Sequence, residues 1–325
     1  MPQIKGFNFD KMPSALMQVF DGRRDIITNA LIDGEAALRQ DFSLLVTDNK
    51  SPLVNLEVMD VLKSASDDFD PADNPLKFGA RVPEFEDVDI DLHFTIGEIQ
   101  TLYRSYLQFI AGLKTEKEVI ANPFEVFFIT QILKTARANL RTMSSWKAVK
   151  NASTRGSAYA ITGLLAKMTA GRAVNGDIAS TQVRAVTATI DGTNAYEEVI
   201  AMCKLVESVN EALLSQALQL RLSPGMARLV NERRIAKFPN VLKPGDVMTK
   251  VDGYESVTVT PDIGLVGKQT MAITPASNLF FVCNEDVSAY RLKVVDSVKG
   301  WDINIRMSVG FDYGYGKLLF LNDKV

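Results

Sequence analysis

The sequence predicts a mixed α+β fold, and three observations carry the prediction. Apolar residues recur at helical spacing over residues 122–143, and they alternate with acids at strand spacing over residues 88–94. From residue 158 onward helix and strand signals interleave, with no repeat of fixed period. Composition agrees with a folded chain: 46% of the 325 residues are apolar and 23% charged, which excludes wholesale disorder.

Taken in order, residues 12–28 (Leu16, Met17, Phe20, Ile27) and 52–65 (Leu53, Val54, Leu56, Val58, Met59, Val61, Leu62) read as amphipathic helices. Residues 66–75, SDDFDPADNP, are a loop or linker. Two strand signals follow, 78–85 and 88–94, flanking Glu86 and Asp87. In the second, Val88, Ile90, Leu92 and Phe94 share one face, with Asp89, Asp91 and His93 on the other. The pair reads as a long hairpin with an acidic edge, and two strands alone are marginal in water, so the hairpin is expected to lie on something else.

A helix over 96–113 carries Tyr103, Tyr106, Leu107 and Ile110 and stops near Gly112. The next helix has the clearest signal: Asn122 as N-cap, Pro123 in the first turn, and Glu125 at the positive end. Ile129, Ile132, Leu133, Ala136, Leu140 and Met143 form its apolar side, and Lys134, Arg137 and Arg141 a basic stripe on another. Carried to residue 150 it has roughly 28 residues and spans ~40 Å, long enough for a structural spar. Beyond it, helices are expected over 196–214 and 226–237, with 158–168 short and apolar. Strands are expected over 183–190, 216–222, 254–259, 279–282, 303–311 and 318–321.

Chemistry is sparse. A net charge of −3 excludes nucleic-acid binding through bulk positive charge. Two cysteines, Cys203 and Cys283, exclude a disulfide scaffold and read as reduced core residues of a cytoplasmic chain, since no secretory leader or membrane span is visible. His93 has no Gly-x-Ser-x-Gly elbow to serve. Residues 264–270 mimic a phosphate-binding loop, but Asp262 stands where glycine is needed and Gln269 where Ser or Thr is needed. Asp87, Asp89 and Asp91 lack the glycine and terminal acid of a calcium loop, which leaves a solvated or partner-facing strand edge. No catalytic, cofactor or metal site emerges. Extended elements with little chain of their own to pack against point to an assembly.

In order of parts, the chain resembles a tailed-bacteriophage major capsid protein of the Hong Kong 97 type. The resemblance rests on FGARVPEFEDVDIDLHF (78–94), LQFIAG (107–112), NPFEVFFITQILKTARANLRTMSSW (122–146), ITPASNLFFVCNED (273–286) and WDINIRMSVGFDYGYGKLLFL (301–321). It implies an N-terminal arm with helices at 1–75 and an extended-loop hairpin at 76–95. It further implies a peripheral domain with the spine helix at 96–158 plus 291–325, and an axial domain at 159–290. Implied function follows: hexamers and pentamers closing an icosahedral shell around double-stranded DNA without sequence-specific contacts. The shell is built in the host cytoplasm and lodged in the virion. Many copies of the chain itself are the main partner, with portal, decoration and separate scaffolding proteins as further ones. The covalent Lys–Asn cross-link of the type member maps to no residue here. An encapsulin-like compartment shell and an α+β hydrolase are the rival readings.

Charge is unevenly distributed. Acids dominate 57–98 and bases 99–184. The expectation is that Glu84, Glu86, Asp87, Asp89 and Asp91 of one copy face Lys134, Arg137 and Arg141 of the next, each exposed contact contributing about 1 kcal/mol or less.

Overall fold

The computed structural model describes residues 12–22, 38–48, 52–58, 76–112, 123–284, 286 and 290–324. The fold is α+β, as expected, with three sheets among the described residues. The first is organised by β12 (Gly300–Tyr313), which pairs antiparallel with β4 (Glu86–Thr95), β10 (Leu279–Asn284) and β11 (Arg291–Ser297). β1 (Ser43–Thr47) adds to β10 in parallel. Ile303, Ile305, Met307, Val309 and Phe311 of β12 are buried, as befits a central strand. On β4 the expected alternation holds: Val88, Ile90, Leu92 and Phe94 are half-buried, and Asp87, Asp89, Asp91 and His93 exposed.

The strand partners differ from expectation. β4 is not one arm of a 76–95 hairpin. β3 (Leu76–Arg81) pairs with β2 (Leu53–Val58), from Leu53↔Arg81 to Val58↔Leu76, as a separate two-stranded ribbon. The helix expected over 52–65 is therefore a strand over Leu53–Val58, and residues 59–75, including the expected linker, lie outside the described residues. Val54, Leu56 and Val58 alternate with Asn55 and Glu57, and that period of two with β-branched residues outweighs the looser helical spacing. Glu86-Asp87 has none of the turn chemistry of a tight hairpin, so the chain runs through 82–85 and starts a new strand.

The first helix, α1, spans Met12–Gly22, and α2 (Leu38–Asp41) is a single turn before β1. α3 (Ile96–Ala111) opens on a capping box, in which Thr95 Oγ1 accepts from the Glu98 N–H and Glu98 accepts from the Thr95 N–H, and it stops at Gly112 as expected. α3 packs on the spine helix α4 (Phe124–Asn139) through rings: Tyr103–Phe124, Tyr106–Phe124 and Phe109–Phe127 have centroids 5.3–5.4 Å apart.

The spine helix begins at Phe124 with Pro123 at the cap position; Asn122, the expected cap, lies outside the described residues. Nor does it reach residue 150: after Asn139 the chain takes a π-helical turn, Leu140–Ser144, closed by Ser145 N–H donating to Leu140 C=O at 2.8 Å. The widened turn sets the helical phase back, so Met143, expected on the apolar side, is 50% exposed while Ser144 is buried. Trp146 then turns wholly into the core.

The second large sheet runs β5 (Val183–Arg184), β13 (Phe320–Asn322), β9 (Ala272–Pro275), β6 (Leu218–Leu222), β8 (Tyr254–Pro261), β7 (Lys250–Val251). Near it come α6 (Ala195–Asn210) and α7 (Pro224–Lys237), while α5 (Leu164–Gly171) lies against β12 of the first sheet. Ser223 caps α7 by accepting from the Met226 N–H, and Pro224 takes its first position. Val199, Met202, Cys203 and Val206 are the buried face of α6. Burial pushes both the Cys203 and Cys283 thiols up to about 12, which suits inert core residues.

Two hydrophobic cores result. One joins α1, α3, α4, α5 and the first sheet; the other, from Val186 to Ile273 with Phe320, joins α6, α7 and the second sheet. Ile161, Leu164, Leu165, Met168, Ile178, Leu279, Phe281 and Tyr290, all within the expected 159–290 span, pack with the first core.

Candidate assembly surface

The three aspartates of β4 each meet their register partner on β12. Ser308 Oγ donates to Asp87 at 2.6 Å, Asn304 Nδ2 to Asp91 at 2.7 Å, and Arg306 Nε and Nη2 both to Asp89 at 2.8 Å. His93 Nδ1 lies 2.7 Å from Asp302. Glu86 accepts from the Thr162 N–H at 2.6 Å and lies 3.2 Å from Lys150 Nζ. The acidic row expected to face a neighbour is thus partnered by its own chain; for the three aspartates, cross-strand pairing supplies the hydrogen-bond donors first. Glu84 is the exception, its side chain exposed and without a partner among the described residues.

The hydrogen bonds from Arg306 hold the Asp89 carboxyl below its ordinary value. A depressed carboxylate stabilises the fold above its unfolded pKa and loses that contribution as pH falls through the folded one. Arg306→Ala is therefore expected to lower the melting midpoint slightly at pH 7 and to have no effect in strong acid, measured by thermal scans at both pH values.

The basic stripe divides as well. Arg141 Nε donates to Asp41 at 2.6 Å and Arg137 is buried, so Lys134 is the member of the three that is exposed and has no partner among the described residues. Between β4, α4 and residues 150–160 lies an open groove of about 790 Å³, with Leu92, Phe128, Ile132 and Tyr159 in its lining.

The ribbon joins the body at a dense charge cluster. Arg81, the last residue of β3, donates from Nε (3.2 Å) and Nη2 (2.8 Å) to Asp312, and from Nη1 to Asp177 and the Tyr313 hydroxyl, both at 3.1 Å. Its guanidinium carbon stacks 3.8 Å from the centroid of the Tyr313 ring. Lys167 Nζ donates to Asp312 (2.9 Å) and to the Glu84 carbonyl (3.2 Å), and the Glu84 N–H donates to Asp312 at 3.3 Å. Burial works against the charge on Arg81, but Asp312 and Asp177 outweigh it and hold the guanidinium protonated. Two glycines make the room: a Cβ at Gly171 would collide with the Tyr313 hydroxyl, and one at Gly310 with the Glu84 carbonyl.

A second cluster fastens the two cores together. Arg221 on β6 is 1% exposed; its Nη2 donates to the Asp41 carbonyl at 2.6 Å, and Nη1 lies 3.4 Å from Asp262 Oδ2. Asp262, also 1% exposed, accepts from Trp146 Nε1 (2.9 Å) and the Gly264 N–H (2.8 Å). Burial pushes the Asp262 carboxyl up and the Arg221 guanidinium down, and these hydrogen bonds oppose it. Sequence reasoning missed both clusters. Arg221 in LQLRL and Asp312 in GFDYG each alternate with apolar residues, as a solvated strand face would, so the pattern did not mark them as buried charges.

Among the described residues no helix is long and apolar enough to cross a membrane. No family model matches the chain, and no curated protein matches it in sequence. Solved structures do. A chain of the satellite phage P4 procapsid structure, which includes the size determination (Sid) protein, is similar at a TM-score of 0.57 and 10% identity, covering 99% of this chain and 92% of that one. The capsid of an empty GTA particle is similar at a TM-score of 0.52 and 14% identity, covering 89% of each chain. Likeness over so much of the length, at so little identity, is a likeness of fold: the chain has the Hong Kong 97-type fold of tailed-phage major capsid proteins.

Proposed function

We propose that this chain is the major capsid protein of a tailed bacteriophage, forming hexamers and pentamers that close an icosahedral shell around double-stranded DNA. The observation that carries the reading is a capsid fold spanning nearly the whole chain, with a two-stranded ribbon that has no third strand among the described residues. Such a ribbon is marginal in water unless something covers it, and in a shell the cover is an adjacent copy. The first core with β4, β12 and the spine helix is the peripheral domain. The second core is the axial domain, which gathers around the five-fold and six-fold axes. Residues before the ribbon are the arm. The shell resides in the virion after assembly in the host cytoplasm, with portal, scaffolding and decoration proteins as accessory partners. The role is structural and non-enzymatic.

The ribbon of one copy rests over the β4–α4 groove of the next. Of the charged groups expected at the contact, Glu84 and Lys134 are the exposed ones without a partner among the described residues and they steer it, while the acids of β4 contribute through the sheet they hold. Reversing Glu84, Glu86 and Asp87 together would also break Thr162 and Ser308 contacts within the chain, so Glu84→Lys alone is the clean variant. It is expected to leave the melting midpoint unchanged and cut particle yield several-fold, read by sedimentation.

Electron microscopy of the purified full-length chain, with extraction of any enclosed nucleic acid from particles made in the infected host, tests the function. Closed shells of uniform size containing genome-length DNA are expected. Shells filled with an enzyme would make it a compartment protein, and a chain that stays monomeric at all concentrations in its host would refute the shell.

A further inference from the structure

The ribbon and the body meet at the cluster around Arg81, and the geometry there goes beyond fold stability. A two-stranded ribbon has no third strand to set its direction, so its angle to the body depends on how its root is held. Arg81 ties the end of β3 to three acceptors on two other segments, Asp312 and Tyr313 at the end of β12 and Asp177 after α5. Three residues later the chain is held again, through both the N–H and the carbonyl of Glu84, with Pro83 buried between. Two fixed points along one short extended segment define a direction where a single point would leave a swivel. The charges balance, Arg81 and Lys167 against Asp177 and Asp312, and Asp312 is 2% exposed on its side chain. The cluster is therefore satisfied in one geometry and loses partners in any other.

We infer that Arg81 is a positioning residue for assembly: it aims the β2–β3 ribbon from the body, and so sets the angle at which one copy reaches the next. The shape of the guanidinium matters here. Its planar fork serves Asp312 and Asp177 at once while its face lies on the Tyr313 ring, and a lysine ammonium at the same place, a single point of charge, cannot do all three. Arg81→Lys thus keeps the charge and removes the aim.

The part of this inference that concerns shells rests on the function proposed above, so the test has one arm that does not. In the first arm, spin labels are placed at Val54→Cys on the ribbon and Val149→Cys on the body, both exposed sites, in a chain whose native Cys203 and Cys283 are buried. In the unassembled full-length chain the label-to-label distance distribution should be narrow with Arg81 and at least twofold broader with Arg81→Lys. Unchanged far-UV circular dichroism and a melting midpoint lowered by no more than about 4 °C would show that the body itself is intact. Equal widths in the two chains would overturn the inference even if shells form. In the second arm, particles from the unlabelled chains are imaged. One diameter with Arg81 and mixed diameters or open sheets with Arg81→Lys are expected; identical particles would refute the role in assembly. If the unaltered chain forms no shells while the first arm succeeds, the aiming role stands and the shell function falls.

Discussion

Arg221→Met is expected to be the most damaging single substitution outside the apolar cores. It leaves Asp262, 1% exposed, without its countercharge and removes the donor to the Asp41 carbonyl. Breaking a buried ion pair by deleting one partner costs about 3–5 kcal/mol, because the remaining charge stays desolvated. Calorimetry should therefore show a melting midpoint lower by roughly 10 °C, at the 2–4 °C per kcal/mol usual for chains above 150 residues. The double variant with Asp262→Asn removes the stranded charge as well, so it should recover part of the loss. A double variant as unstable as the sum of the two single ones would show that Arg221 and Asp262 do not act as a pair. The consequence is also mechanical. Arg221 belongs to the second sheet, while Asp41 leads into the first and Asp262 holds Trp146 at the end of the spine. Loss of the guanidinium should separate one cooperative transition into two, a signature that loss of an ordinary core contact does not produce.

Asp312→Ala should rank next. Its two oxygens receive Arg81, Lys167, the Glu84 N–H and the Tyr313 N–H, and its side chain is 2% exposed. Alanine leaves two cations facing each other across a small void, again at about 3–5 kcal/mol. Unlike Arg81→Lys, which should alter the ribbon's direction with little effect on melting, Asp312→Ala should lower the melting midpoint and broaden the ribbon distances together. Melting unchanged by Asp312→Ala would mean that solvent already screens the cluster.

Much of the framework was legible in the sequence because it depends on local rules. Pro123, Glu125 and the apolar spacing gave the start of the spine helix, and the alternation of acids with apolar residues gave β4. What failed was pairing, which spacing does not encode. Leu53–Val58 satisfies both a helical and a strand period, and its partner at Leu76–Arg81 decided between them. β4 finds β12 more than two hundred residues away, so the partners of Asp87, Asp89 and Asp91 could not be named in advance. The π-turn was invisible for a different reason. It is imposed from outside the helix, where Arg141 reaches Asp41 and Ser144 donates to the Ser157 carbonyl. Several residues expected at an assembly surface are therefore engaged within the chain, since acids that look available in one dimension are already bonded in three.

Cross-linking between isotopically distinct copies addresses most directly whether the ribbon finds its place on another molecule. A photoreactive residue is put in place of Val54, which is 54% exposed on β2, in light chain mixed with heavy chain before assembly. Light–heavy cross-linked peptides joining position 54 to the β4–α4 groove, at Ile132 or Tyr159, are the expected result. Cross-links confined to single copies, in material that has assembled, would contradict it.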